Sequence, residues 1–214
     1  TGCDWSGRVI ELSANGLSMV LPLAAATTRN ESTAIRLSLE DRTLEIPCTV
    51  AHFRASQAHA VCGLRLDFND FAVQKAWHQI VEAVGIGASF APIAGRRGSP
   101  VSLGLVRSRW RSLPQTSLTE WRETGSRKVG RFELVLADYS VEARAVERLF
   151  EIRAVKRPAE PLAAEVEAEV RRLFRWVTLN LPDAVPSDLR DFMLRSARPR
   201  EALPAASTKA VTRT

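Results

Sequence analysis

Apolar and polar residues alternate at a spacing of two through the first 70 positions, the pattern of strands with one buried face. Gly7–Ile10 and Leu17–Leu21 are rich in β-formers and flank Ser13-Ala14-Asn15-Gly16, whose Asn15-Gly16 step is a turn signal. Thr33–Leu39 places Ile35, Leu37 and Leu39 on one face and Arg36, Ser38 and Glu40 on the other. Leu44–Phe53 aligns Leu44, Ile46, Cys48 and Val50, and Ala60–Phe68 aligns Cys62, Leu64, Leu66 and Phe68. Turns fall at Asp41-Arg42 and Ser56–His59. Short strands at roughly ten-residue spacing predict a small antiparallel barrel or sandwich.

The period then changes. Asn69 or Asp70 is an N-cap, because a short polar side chain accepts from the free amides of a first helical turn. Phe71, Trp77, Ile80, Val81 and Val84 follow as a helical stripe, and Gly85-Ile86-Gly87 is its predicted end. The Gly/Pro-containing basic stretch Gly95–Pro100 reads as a boundary. Short helices are predicted over 102–112 and 117–124, a strand over Phe132–Leu136, and helices over Val141–Val155 and Leu162–Leu179, separated by Pro158 and Pro161. The last of these has Val166, Val170, Leu173, Phe174 and Val177 on one face. Glu165, Glu167 and Glu169 lie at its start and Arg171, Arg172 and Arg175 at its end, matching the helix dipole. The expected organisation is a β-barrel with closing helix over 1–90, a basic linker over 91–128, a strand and amphipathic helices over 129–196, and a disordered tail over 197–214. The fold class is therefore α+β, with a mainly α-helical C-terminal extension.

Composition narrows the function classes. Of 214 residues, 45% are hydrophobic and 25% charged, as in ordinary globular protein. No apolar run approaches the roughly 18–20 residues of a membrane span. Three cysteines without secretory features point to a reducing, cytoplasmic setting. The chain opens Thr1-Gly2-Cys3-Asp4 without Met, which predicts a fragment or processed product. Residues 1–98 carry 9 basic and 9 acidic groups, so the remaining 21 basic and 15 acidic groups hold the whole +6 charge. Nearly all the cations are arginine, which forks onto phosphate and carboxylate.

The hexapeptide Glu11-Leu12-Ser13-Ala14-Asn15-Gly16 resembles the D/N-x-S-x-x-G motif of the PilZ family, which lies on a turn between two barrel strands. Gly63-Leu64-Arg65-Leu66, followed by Phe68, falls where that family carries a G-x-x-F strand, and a closing helix follows in both. The resemblance covers about residues 7–88. It implies a six-stranded antiparallel barrel, here with its first strand truncated, that binds the bacterial second messenger cyclic di-GMP. It also implies a regulatory module, not an enzyme, that controls an attached or partner protein such as a polysaccharide (cellulose) synthase. The site residues implied are Glu11, Ser13, Asn15 and Gly16, with Arg8 added from the strand before them. The ligand is a dianion bearing two guanines. Ser13 would bond a guanine, Glu11 would accept from base N–H groups, and Gly16 would permit a left-handed turn and close approach. Glu11 stands where the family has Asp or Asn, and Arg8 is alone where the family has an upstream R-x-x-x-R. A PilZ-like module that has lost its nucleotide and binds protein is the alternative.

Three other constellations compete. Cys48-x3-His52 and His59-x2-Cys62 have zinc-ligand chemistry, yet both cysteines fall on the apolar phase of their strands and read as core. No Cys–His pair, G-x-S-x-G, P-loop or G-x-G-x-x-G motif with an acidic partner sits in a catalytic setting. Arg107-Ser-Arg-Trp-Arg111 is a basic-aromatic patch with affinity for anions, read first as a solvated helix with snorkelling arginines.

Overall fold

The computed structural model describes residues 4–39, 42–93, 100–101, 104–113 and 115–198. The chain divides into two compact units, Thr1–Ala88 and Ser89–Thr214. Each holds an antiparallel sheet, and with the helices they give an α+β chain.

In the first unit the strands are β1 (Arg8–Ser13), β2 (Gly16–Leu21), β3 (Ser32–Leu39), β4 (Arg42–Ala55) and β5 (Ala60–Leu66), followed by α1 (Phe71–Ala88). Their order is β1-β2-β5-β4-β3. Five strands form among the described residues, where the PilZ resemblance implies six. The alternating apolar set lines one face: Leu17, Met19 and Leu21 from β2, Ile46, Cys48 and Val50 from β4, and Cys62, Leu64 and Leu66 from β5 are all buried. Two bulges, between Val9 and Glu11 and between Val50 and His52, re-phase the strands. The first lets both Val9 and Leu12 pack on the core although three positions separate them.

Asp70 caps α1, its carboxylate accepting from the Ala72 N–H at 2.6 Å. The expected stripe is largely present, since Trp77 and Ile80 are buried, but Phe71 is 80% exposed. Gly85-Ile86-Gly87 does not end the helix, which continues to Ala88. Ala83, Ile86 and Gly87 extend its buried side. That burial offsets the roughly 1 kcal/mol that each interior glycine costs.

The second unit corrects the expectation of a mainly helical extension. Its strands are β6 (Ala91–Pro92), β7 (Pro100–Val101), β8 (Leu105–Arg111), β9 (Thr116–Glu123), β10 (Val129–Leu136), β11 (Tyr139–Arg144) and β12 (Leu149–Ala154). The sheet runs β12-β11-β10-β9-β8-β6, with β7 also on β8. Of the segments expected as helices, 102–112 forms strand β8 over Leu105–Arg111, with 102–103 outside the described residues, 117–124 lies in and just after strand β9, and Val141–Val155 is the hairpin of β11 and β12. Two helices follow, α2 (Ala164–Leu179) and α3 (Ser187–Ser196). Phe174 of α2 stacks on Phe132 of β10 at 5.7 Å, and Phe192 of α3 meets Phe132 edge-on. The helices thus cover the face of the sheet that carries Leu118, Phe132, Leu134, Val141 and Ala143, all buried. The expected boundary residues Gly95–Ser99, the turn residue Asp41 and all of the expected tail beyond Arg198 lie outside the described residues.

Candidate functional site

Residues opposite one another in antiparallel strands share a face. Register pairs Arg8 with Val20, Glu11 with Ser18 and Ser13 with Gly16. β2 then pairs Ser18 with Gly63 and Gly16 with Arg65, while β4 sets His52 opposite Gly63 and Arg54 opposite Val61. Four of the five sequence-predicted residues, Arg8, Glu11, Ser13 and Gly16, therefore share the outer face of the first sheet. The fifth, Asn15, sits in the turn, where its carbonyl accepts from the Leu66 N–H at 2.9 Å. Sequence reasoning missed His52, Arg54 and Arg65 as members of this face. For Arg65 the period-2 pattern was the signal, since it lies between buried Leu64 and Leu66, whereas His52 and Arg54 are in phase with buried Val50 and reach the outer face only through the bulge after Val50, which the pattern does not announce.

Small residues floor the middle of the face. A Cβ on Gly16 would come within 2.6 Å of the Leu64 carbonyl oxygen, so the glycine serves strand approach. Its backbone is not left-handed, which corrects the expected role. The two-residue turn is centred on Ala14 and Asn15, and neither has positive φ. Over Gly63 lies the His52 imidazole, which a Cβ there would meet.

The hairpin tip is held from beneath. The buried Trp77 indole N–H donates to the carbonyls of Ser13 and Ala14, at 3.0 and 3.1 Å. The Ser13 hydroxyl donates to the Gly16 carbonyl at 3.1 Å, and the Ser18 hydroxyl donates to Glu11 at 3.3 Å. All of Arg8, Glu11, Ser13, Asn15, His52, Arg54 and Arg65 are exposed. The surface is therefore an open, partly cationic shelf on a pinned hairpin, suited to holding a flat anion.

The cysteine–histidine constellation does not converge. Cys48 and Cys62 face the core while His52 lies on the outer face and His59 on the surface. Burial pushes the Cys48 thiol up to about 11 and raises that of Cys62, which suits small buried hydrophobes.

In the second unit, the Arg107–Arg111 patch is strand β8, not a helix. Arg107, Arg109 and Arg111 are exposed on the face away from the helices, and Trp110 between them is buried on the helix side. On that helix side lies Glu120, only 2% exposed. Arg122 joins its Nε to Glu120 at 2.9 Å and forks onto Asp188 of α3 at 2.6 and 2.8 Å. Burial raises the Glu120 carboxyl against the pull of Arg122, whereas the Arg122 hydrogen bonds lower that of Asp188. This group fastens a helix to a sheet. Compared with known proteins, the chain matches no family model, no curated protein and no solved structure.

Proposed function

We propose that the first unit is a PilZ-like module that binds cyclic di-GMP on the outer face of its sheet and regulates an attached or partner protein, such as a polysaccharide synthase, from the cytoplasm. The observation that carries this reading is the strand register, which sets Arg8, Glu11, Ser13 and Gly16 on one face together with Arg65. The ligand offers two phosphates and two guanines. Arg8 and Arg65 supply charge-assisted donors for the phosphates. The Ser13 hydroxyl and the Glu11 carboxylate exchange their present partners, Gly16 and Ser18, for guanine edges. Gly16 and Ser18 keep the shelf shallow enough for a planar base beside the His52 ring that lies over Gly63.

Calorimetry of the full chain with cyclic di-GMP tests the reading. Saturable heat is expected, and Arg8→Ala with Arg65→Ala should weaken binding at least about tenfold, since each charge-assisted bond contributes roughly 1.5–3 kcal/mol. Absence of heat would leave the second reading, an interaction module without nucleotide. That reading is favoured by the Ser18–Glu11 bond, which satisfies the carboxylate internally.

A further inference from the structure

On the open face of the second sheet, the arginines of β10, β11 and β12 are paired with carboxylates. Arg131 pairs with Glu142 at 2.9 Å, Arg144 with Glu142 and Glu147, and Arg153 with Glu151. Arg131 also lies over the Trp121 ring at 4.3 Å. The arginines of β8 differ. Among the described residues, Arg107, Arg109 and Arg111 make no ion pair. Register explains why: Arg109 faces Thr119 and Arg111 faces Ser117, so no carboxylate stands opposite on β9.

Arg109 and Arg111 line one wall of a 480 Å³ cleft. Ser117 and Val135 lie in the same cross-strand row as Arg111, and the far rim carries Lys156, which pairs with Asp138 at 3.2 Å. Three cations thus meet one carboxylate around a concavity with both hydroxyl and aliphatic lining. The volume lies in the range of small-molecule sites, roughly 300–1,000 Å³. Two arginines on one strand face, two residues apart, line the same space, and guanidinium groups so placed can donate together to a tetrahedral oxyanion. Val135 and Val155 offer apolar surface to the body that such an anion is attached to.

We propose that this cleft is a binding site for a small phosphomonoester, with Arg109 and Arg111 holding the phosphate and Lys156 closing on it from the opposite rim. The site belongs to the second unit and does not depend on the reading given above for the first.

Phenyl phosphate is the probe, because it joins a phosphomonoester to an apolar ring and nothing else. Titrated into the full chain by calorimetry, it is expected to bind one site per chain, with phenol giving no saturable heat. Arg109→Ser combined with Arg111→Ser should weaken binding at least about tenfold, as loss of charge-assisted bonds requires. Lys156→Glu should also weaken it, and this exposed position leaves the sheet intact if the strand variants fold poorly. Arg36→Ser, in the first unit, should bind as the parent does. No saturable binding of phenyl phosphate, equal affinity in the Arg109/Arg111 variant and in Lys156→Glu, or phenol binding as tightly as its phosphate would each overturn the proposal.

Discussion

The two units fasten their parts by opposite chemistry. In the first, the join between hairpin and helix is neutral: one buried indole N–H serves two backbone carbonyls at the tip of β1–β2. In the second, the join between sheet and helix is ionic: Arg122 bridges buried Glu120 and the α3 carboxylate of Asp188. The neutral clamp adds a directional bond to a side chain that is also core, so its strength is indifferent to pH and salt. The ionic clamp requires that a carboxylate be carried out of water, and it holds only while Arg122 compensates that charge. The difference teaches where each unit is vulnerable. The first breaks through packing and the second through charge.

Deletion of each clamp should expose this contrast most strongly. Trp77→Ala removes a fully buried ring and should cost about 3–5 kcal/mol, read as a lowered urea midpoint. Trp77→Phe keeps an aromatic ring, though a smaller one, and takes the N–H from two carbonyls, and should cost less than Trp77→Ala, about 1–3 kcal/mol. Arg122→Ala leaves Glu120 buried without its cation, and should also cost about 3–5 kcal/mol. Replacing Glu120 by Gln at the same time should return part of that loss. If Arg122→Ala alone were as stable as the parent, the ionic clamp would be ornamental and the comparison would fail.

A smaller effect should appear in the pH profile, and the clamp's two carboxyls contribute with opposite signs. Asp188 is lowered in the folded state by the Arg122 bonds. Its stabilisation is present above the ordinary carboxylate range and is lost as pH falls through its depressed value. Glu120 is raised by burial. The folded chain therefore holds that proton more tightly than the unfolded chain, and stability declines as pH rises from the usual glutamate range through the raised value. Urea midpoints followed downward from the ordinary aspartate range and upward from the ordinary glutamate range should show the two limbs. Asp188→Asn should remove the acidic limb, and Glu120→Gln the other. Trp77→Phe should leave the shape of the profile unchanged.

The same division governs what the chain disclosed in advance. Alternation in β3, β4 and β5 was legible because one face is apolar and the other polar, and Asp70 was legible as a cap. The second sheet was hidden for two physical reasons. Its helix-covered face includes Ser108 and Glu120, and its open face includes Trp121 and Val135, so the alternation that identifies a strand is broken on both sides. Most of the positions of its turns that take left-handed backbone also lack the residues that announce it. Left-handed backbone is taken by Gln115, Arg127, Ala137 and Arg148, where glycine or asparagine would have marked the break. Without those breaks, the alanine-rich run from Val141 to Val155 reads as one helix, although its centre is the loop between β11 and β12. The long helix at the C-terminal side survived because its stripe meets a sheet of phenylalanines, as Phe174 on Phe132 shows. On the candidate shelf, the hexapeptide located the hairpin. It misassigned Gly16, whose need is closeness to β5 and not an unusual φ.

The glycines of that shelf give the finest test of what holds the first unit together. Gly16→Ala would place a methyl 2.6 Å from the Leu64 carbonyl oxygen, an atom of the β5 backbone that cannot swing aside. Strands β2 and β5 must separate, and the cost should be about 1–3 kcal/mol as overpacking generally is. The atoms nearest a methyl on Gly63 all belong to the His52 imidazole, an exposed side chain that can rotate off the face. Alanine also has roughly 0.5–1 kcal/mol less backbone entropy to lose than glycine within a strand. Gly63→Ala should therefore fall within about 0.5 kcal/mol of the parent in urea unfolding, the usual span of surface changes. The added methyl would still stand in the middle of the shelf, so cyclic di-GMP heat should fall while stability does not. An equal loss of stability in both variants would mean that His52 is a fixed part of the sheet and not a movable cover on its outer face.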